Sequence, residues 1–508
     1  MTESLPIDGE SLTLDQFLAV ARGGCPVALA PDARQRVASS RRAVERAVAS
    51  GRSVYGVTTG FGSLAEKAIP AADARALQLS LVRSHASGTG PDLPADVVRG
   101  LMFLRLNSLA RGHSGVRPEL LDALVELLNR QLVPSIPEQG SVGASGDLAP
   151  LAHLGLALIG EGAFVQPNGG HRPASEVLAE TGLAPLEFQE KEGVALVNGT
   201  SLMAAYLALS VDDSRSLLAA AEVAAATSFD ALRGNPTALD DRLGALRHLE
   251  EQRTEARVLR TLLRGSSLAS PKSEGLGQDP YTLRCLPQVL AAVRLAVGFA
   301  ERIASNELSA VSDNPVIFEG DEFVNGGNFH GQNLALALDT LGLGVQYIAG
   351  FSERRIARLV NPALNRGLPP FLAPAAGVSS GFMIPQYLAA ALVNENQSLV
   401  HPASAASLPT SADQEDYVSM GPWAGAKLRR ILSNTQKVVA IEWIAAAQAL
   451  ELRRPAQGGL GSEAGLRALR EFVAPWSADR SPSAEIEDVA RRIADGSLVR
   501  RVRTEVPF

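Results

Sequence analysis

The residues with the most chemistry in this chain fall in one run, Gly140-Ser141-Val142-Gly143-Ala144-Ser145-Gly146-Asp147-Leu148-Ala149-Pro150-Leu151-Ala152-His153. The plainest reading is a glycine-rich turn leading into a helix, with Asp147 as its N-cap and Pro150 in its first turn. A serine nucleophile on a hydrolase elbow needs Gly-x-Ser-x-Gly, and Asp147 stands where the second glycine belongs. A phosphate-binding loop fails as well, because no Gly-Lys-Ser/Thr follows. A further reading is covalent. Gly146 has no side chain, so its nitrogen can approach the Ala144 carbonyl closely, and alanine is too small to obstruct it. Ser145 supplies a hydroxyl that can be eliminated to leave an exocyclic alkene. Loss of two waters from Ala144-Ser145-Gly146 would give a methylidene-imidazolone, a strong electrophile made without any imported cofactor.

Long helices are expected to position this loop. Apolar residues recur at three- and four-residue spacing over Ser201–Leu232, Tyr281–Leu308, Gln332–Leu359, Pro385–Val400 and Val418–Leu452. Several of these exceed the roughly 8–20 residues of ordinary globular helices, which points to a large helical bundle. Alanine and leucine dominate and strand patterns are scarce, so the fold class expected is all-α. Two other glycine-rich segments punctuate the chain, Tyr55-Gly56-Val57-Thr58-Thr59-Gly60-Phe61-Gly62 and, ahead of a helix, Gly326-Gly327-Asn328-Phe329-His330-Gly331. Three parts are expected: residues 1–200 with the Tyr55 and Ser145 loops, residues 201–460 as the long-helix core, and residues 461–508 as a C-terminal helical cap.

Composition narrows the function. The chain has 508 residues, 46% hydrophobic and 20% charged, and a net charge of −7. The acidic balance argues against a nucleic-acid or anionic-membrane partner. Cys25 and Cys285 are far apart, so no disulfide framework is expected. Met1–Glu10 carries Glu3, Asp8 and Glu10 and lacks the basic-then-apolar pattern of a signal segment. No run of ~18 charge-free apolar residues occurs. These features predict a cytoplasmic protein. The seven histidines are scattered with no Cys-x-x-Cys or His-Glu-x-x-His, so no metal is expected, and His113 and His153 read as structural.

The Ser145 segment strongly resembles the signature of the histidine and aromatic amino acid ammonia-lyases, and the resemblance runs in matching order over nearly the whole chain. It implies that the family's prosthetic group, 4-methylidene-imidazol-5-one (MIO), forms autocatalytically from Ala144, Ser145 and Gly146 with no external cofactor, on the helical bundle shared with fumarase- and aspartase-like lyases. It also implies a homotetramer with each active site assembled from three subunits. Tyr55, otherwise an ordinary turn aromatic, matches the base that removes the substrate β-proton, a task for a phenolate. Asn198 reads by itself as a cap of the following helix, and in the family its match lies beside the MIO and the substrate. Gln278 and Tyr281 match site positions. Arg284, in isolation a candidate surface salt bridge, matches the arginine that forks onto the substrate carboxylate. Phe329 matches an active-site aromatic.

Two segments bear on the substrate. Ser84-His85, in Leu81-Val82-Arg83-Ser84-His85-Ala86-Ser87-Gly88, resembles histidine lyases, although some tyrosine aminomutases carry the same pair. Gln414-Glu415-Asp416 also resembles histidine lyases, and Glu415 can accept a charge-assisted N–H hydrogen bond from an imidazole. Against a phenyl ring, Glu415 and His85 would be left unpaired at about 1–3 kcal/mol each. The resemblance thus implies elimination of ammonia from L-histidine to give trans-urocanate. Tyrosine ammonia-lyase, tyrosine 2,3-aminomutase and a helical scaffold with an uncyclised loop stand as alternatives. Thr58, Asp413 and Tyr417 depart from the histidine-lyase pattern, which has Asn, Asn and His there.

Overall fold

The computed structural model describes residues 4–269, 278–375 and 377–508. Among them, 19 α-helices carry the architecture, and the strands form four small sheets of two or three strands each. The expected helical class holds, and the long helices fall close to their expected bounds: Ser201–Ala231, Gln332–Val360, Met383–Leu399 and Gly421–Glu451. The stretch expected as one helix from Tyr281 is instead broken at Cys285 into Tyr281–Arg284 and Leu286–Glu307. Pro287 causes the break, because it has no N–H to return and its ring crowds the carbonyl four residues back. Pro150, Pro385 and Pro422 likewise sit in first turns, where the missing N–H is harmless. Gln332–Val360 is long and apolar enough to cross a membrane, but 61% of its most apolar window is buried inside the fold, as in a core helix.

The chain divides into two compact units. The first comprises Met1–Leu209, Glu301–Asp339 and Pro402–Ala426; the second comprises Ser210–Ala300, Thr340–His401 and Lys427–Phe508. In the first unit, the Ala95–Ala110 helix is apolar on nearly every side and buried throughout Val97–Ala110 apart from Arg99 at its start. Three shorter helices of the same unit, Ala74–His85, Leu148–Leu158 and Glu192–Val197, pack mutually. Glycine lets them close. A Cβ on Gly193 would stand 2.7 Å from the Gln78 carbonyl oxygen, and one on Gly155 would stand 2.8 Å from a Val82 methyl. The fully buried Gln78 joins them to the Tyr55 loop, donating to the Gly56 carbonyl (3.1 Å) and accepting the Val194 N–H (3.0 Å). The core of the second unit holds the buried Trp443 and a bidentate Arg355–Glu442 pair (2.5 and 2.8 Å), to which Ser228 adds a hydrogen bond.

Candidate active site

The three packed helices of the first unit each end at a residue with chemistry. His85 closes Ala74–His85, the Ser145 turn opens Leu148–Leu158, and Asn198 follows Glu192–Val197. Between them lies a cavity of about 480 Å³, lined among others by Tyr55, His85, Ser145, Asn198, Phe329 and Glu415. Six of the residues picked out from sequence are therefore brought together, with Ala144 and Gly146 buried on either side of Ser145.

The turn itself is tightly coiled. Gly143 (φ 71°), Ser145 (φ 49°) and Gly146 (φ 79°) are all left-handed, a conformation that serine adopts only under constraint. The constraint is Gly199. It bridges Gly146 in parallel fashion, and its carbonyl accepts the Asp147 N–H at 2.7 Å. A Cβ on Gly146 would lie 2.2 Å from the Gly199 oxygen, so no other residue fits. A left-handed Ser145 brings the Ala144 carbonyl carbon and the Gly146 nitrogen closer than extended backbone would, the gap that a backbone closure would have to span.

Asp147 departs from its expected role. It occupies the N-cap position of Leu148–Leu158, but its side chain makes no cap there. The carboxylate turns instead to the start of the Ser201–Ala231 helix and accepts the N–H groups of Leu202 (2.8 Å) and Met203 (3.1 Å). Burial pushes its pKa up to about 7, against those two N–H groups and the Ser141 hydroxyl, which favour the ionised form. One aspartate thus fixes the loop to the N-terminal end of the Ser201–Ala231 helix.

Around the cavity, each polar group has a defined orientation. The Gly62 N–H donates to the Tyr55 phenolic oxygen (3.1 Å). Thr58 holds the same loop from within, accepting the Val54 N–H (2.9 Å) and donating to the Arg52 carbonyl (2.7 Å). Ser84 Oγ donates to the Leu81 carbonyl (3.0 Å) and sits 3.0 Å from His85 Nδ1. That contact engages the His85 ring through Nδ1 and leaves Nε2 on the far side from Ser84. Burial lowers the His85 pKa, opposed by the Leu81 carbonyl and Glu415, so the ring is held neutral. Glu415 Oε1 accepts the Ser145 hydroxyl (3.1 Å), and Oε2 accepts that of Thr410 (3.0 Å).

Asn198 does not cap the following helix. Its Nδ2 donates to the Asn314 carbonyl (3.2 Å), which turns Oδ1 away, buried and without a hydrogen-bond partner among the described residues. Its own carbonyl accepts from Arg105 Nη1 (3.2 Å). Arg105 is fully buried, as are Lys191 and Asp313, whose side chains pair at 2.9 Å. Sequence reading passed over these three residues. The signal for Arg105 was present, a lone cation in the apolar run Gly100–Ala110.

Gln278, Tyr281 and Arg284 belong to the second unit and are not among the cavity-lining residues. Tyr281 is 65% exposed, and the Arg284 guanidinium lies over its ring at 4.7 Å. His153 Nε2 accepts the Gly88 N–H (3.1 Å) and His113 Nδ1 contacts the Ile317 carbonyl (2.8 Å), both structural contacts. Among the described residues, no group of three or more His, Cys, Asp or Glu could hold a metal ion. Thr58, Asp413 and Tyr417, the departures from the histidine-lyase pattern, do not line the cavity.

The aromatic amino acid lyase model matches residues 12–471. A histidine ammonia-lyase of Symbiobacterium thermophilum is 49% identical over 495 residues, covering 97% of each chain. Among solved structures, histidine ammonia-lyase from Trypanosoma cruzi superposes with a TM-score of 0.91 at 38% identity, covering 99% of this chain and 96% of the other. Tyrosine aminomutase from Streptomyces globisporus does so with a TM-score of 0.94 at 36% identity, covering 100% and 99%. A family match across most of the chain, joined to near-complete coverage by relatives this similar, means that the chain belongs to the aromatic amino acid lyase family.

Proposed function

We propose that this protein eliminates ammonia from L-histidine to give trans-urocanate, with an MIO built from Ala144, Ser145 and Gly146. The observation that carries the substrate assignment is the meeting of an imidazole, His85, and the Glu415 carboxylate in the cavity that holds Ser145. An imidazole offers a ring N–H to the carboxylate and a second ring nitrogen to His85, and a phenyl ring offers neither. Burying the two groups unpaired costs about 1–3 kcal/mol each, which disfavours phenylalanine.

The residues present suit such a group. The loop is coiled, Gly146 has no room for a side chain, and the buried Asn198 Oδ1 faces no protein donor. The chemistry the MIO supplies is that of an electron-poor exocyclic alkene. The chain's own residues do the rest. Asn198 Oδ1 accepts from the substrate amine, Tyr55 takes a proton from the β-carbon, and Phe329 packs the ring. Forming the alkene removes Ser145 Oγ as water, so Glu415 Oε1 loses its protein donor and becomes available to the substrate ring. Arg284 forks onto the substrate carboxylate, with Gln278 and Tyr281 beside it.

We further propose a cytoplasmic homotetramer in which Gln278, Tyr281 and Arg284 serve the cavity of a neighbouring copy. Tyr281, Tyr387 (61% exposed), Ile384 (59%) and Trp423 (54%) are large apolar side chains that a lone chain leaves in water. Light scattering should give four chains per particle.

Tyrosine is the second reading. A phenol O–H also suits His85 Nε2, and a tyrosine aminomutase is among the similar structures. Incubation with histidine, tyrosine and phenylalanine, followed by product absorbance and mass, separates these readings. Turnover of tyrosine but not histidine overturns the histidine assignment, and a β-amino acid product overturns the lyase outcome. Ser145→Ala should keep the fold, lack the two-water mass deficit and lose nearly all turnover.

A further inference from the structure

Arg105 lies outside every role assigned above, yet the geometry around it is specific. It is 0% exposed and sits in the middle of the apolar Ala95–Ala110 helix. Nη1 reaches the Asn198 carbonyl at 3.2 Å, while Nε and Nη2 are buried without hydrogen-bond partners among the described residues. A Cβ on Gly199 would stand 1.9 Å from Nη1, and one on Gly146 would stand 2.2 Å from the Gly199 oxygen. Gly199 is therefore sandwiched, with the guanidinium on one side and the tripeptide on the other.

The neighbouring charges sharpen the picture. Asp313, whose charge also acts on Arg105, accepts from Lys191 Nζ (2.9 Å) and the Asn314 N–H (2.7 Å). The Asn314 carbonyl in turn takes Asn198 Nδ2 (3.2 Å), and Ser312 Oγ accepts the Thr200 N–H (3.3 Å). Asn198, Gly199 and Thr200 are thus gripped by the Ser312–Asn314 segment on one flank and by Arg105 on another. The remaining titratable groups at this point are Glu307, bound to the Thr200 hydroxyl (3.1 Å), and Asp147. A guanidinium keeps its charge at any working pH, so it supplies a permanent cation here.

We propose that Arg105 is a positioning residue for this site. It presses the Asn198–Gly199 backbone onto the Ala144-Ser145-Gly146 turn and fixes a positive charge one glycine away from the electrophile. The proposal rests on the reading of that tripeptide as the source of the MIO. Holding Gly199 in place favours closure of the turn. The nearby cation favours the negative charge that the electrophile takes up during elimination.

The test compares Arg105→Lys, Arg105→Gln and Arg105→Met with the parent protein, by intact mass, thermal unfolding, and separate kcat and KM for histidine. The mass of the parent decides the underlying reading alone: without a two-water deficit there is no MIO to position. Given that deficit, Arg105→Lys should be dehydrated and within about tenfold of the parent kcat. The neutral variants should show incomplete dehydration, or a kcat per dehydrated chain lower by about 30-fold or more with KM changed less than about threefold. Fully dehydrated Gln and Met variants with parental kcat overturn the proposal. So do Lys and Met variants impaired equally, or folding of the Lys variant alone, which would assign Arg105 to structure.

Discussion

Glu415→Gln separates ring recognition from every other role of the site. In the structure, Glu415 Oε2 is held by Thr410 and Oε1 by the Ser145 hydroxyl. Dehydration of Ser145 would remove the second donor and leave a carboxylate oxygen open beside the proposed electrophile. A hydrogen bond to a charged acceptor contributes about 1.5–3 kcal/mol and a neutral one about 0.5–1.5, so the neutral amide forfeits about 1–2 kcal/mol toward an imidazole N–H. That difference corresponds to a fall of roughly 5- to 30-fold in kcat/KM for histidine. Phenylalanine has no ring donor to lose, and the uncharged amide is easier to bury opposite its ring. Its kcat/KM should hold or rise, so the ratio of the two substrates shifts further than either rate. Initial rates followed by product absorbance give both constants, and intact mass confirms that dehydration is complete in the variant. An equal fall for histidine and phenylalanine would show that Glu415 acts on the common amino acid part or on the loop, and the argument from ring donors would be wrong.

Gly146→Ala should be about 2–5 kcal/mol less stable, combining roughly 1–2 for a left-handed alanine and about 1–3 for overlap with the Gly199 backbone. It should also show no mass deficit, and a dehydrated, stable variant refutes the packing argument. Ser84→Ala should free the His85 ring, raising KM for histidine about three- to tenfold and moving the His85 nitrogen resonances toward mixed tautomers; an unchanged nitrogen spectrum removes Ser84 from the recognition scheme. Asp147 has a folded pKa of about 7 against an ordinary 3.8, so the folded protein keeps a proton that the unfolded chain has lost. Its contribution to stability is therefore full below about pH 4 and is lost as pH rises toward about 7. Urea midpoints across that window should slope downward with pH, and Asp147→Asn should flatten the slope; a parallel profile in the variant contradicts the shift.

Sequence alone made the helical scaffold and six cavity residues legible, for identifiable reasons. The Ser201–Ala231 helix is legible over its whole length because its alanine- and leucine-rich sequence is apolar nearly all round, as befits a helix buried on nearly every side. Glycine loops are visible because only glycine tolerates what Gly146 meets. What sequence could not give was the partner of each polar group. Asp147 fits a cap of its own helix, and nothing local says that its carboxylate reaches Leu202 and Met203, 55 and 56 positions on. Arg105 and Asn198 are 93 positions apart, and Lys191 and Asp313 are 122 apart. Such pairings follow from tertiary packing, which leaves no periodic trace.

The same long-range pairings explain why a strained, polar site persists in an apolar interior. A left-handed serine, an unpartnered amide oxygen and a guanidinium with two unused nitrogens each cost about 1–3 kcal/mol when buried. None is offset by its immediate neighbours in sequence. The offset comes from elements that are apolar nearly all round, above all Ala95–Ala110, whose burial at roughly 25 cal/mol per Å² stabilises the unit in which the site is set. Arg105 belongs to that helix, so the element that stabilises the unit also carries the charge that holds Asn198 and Gly199. A substitution that loosens Ala95–Ala110 without touching the cavity, such as Leu106→Ala, should therefore lower stability by about 2–5 kcal/mol and impair dehydration of the loop together. Loss of stability with complete dehydration would show that the loop closes independently of the helix behind it.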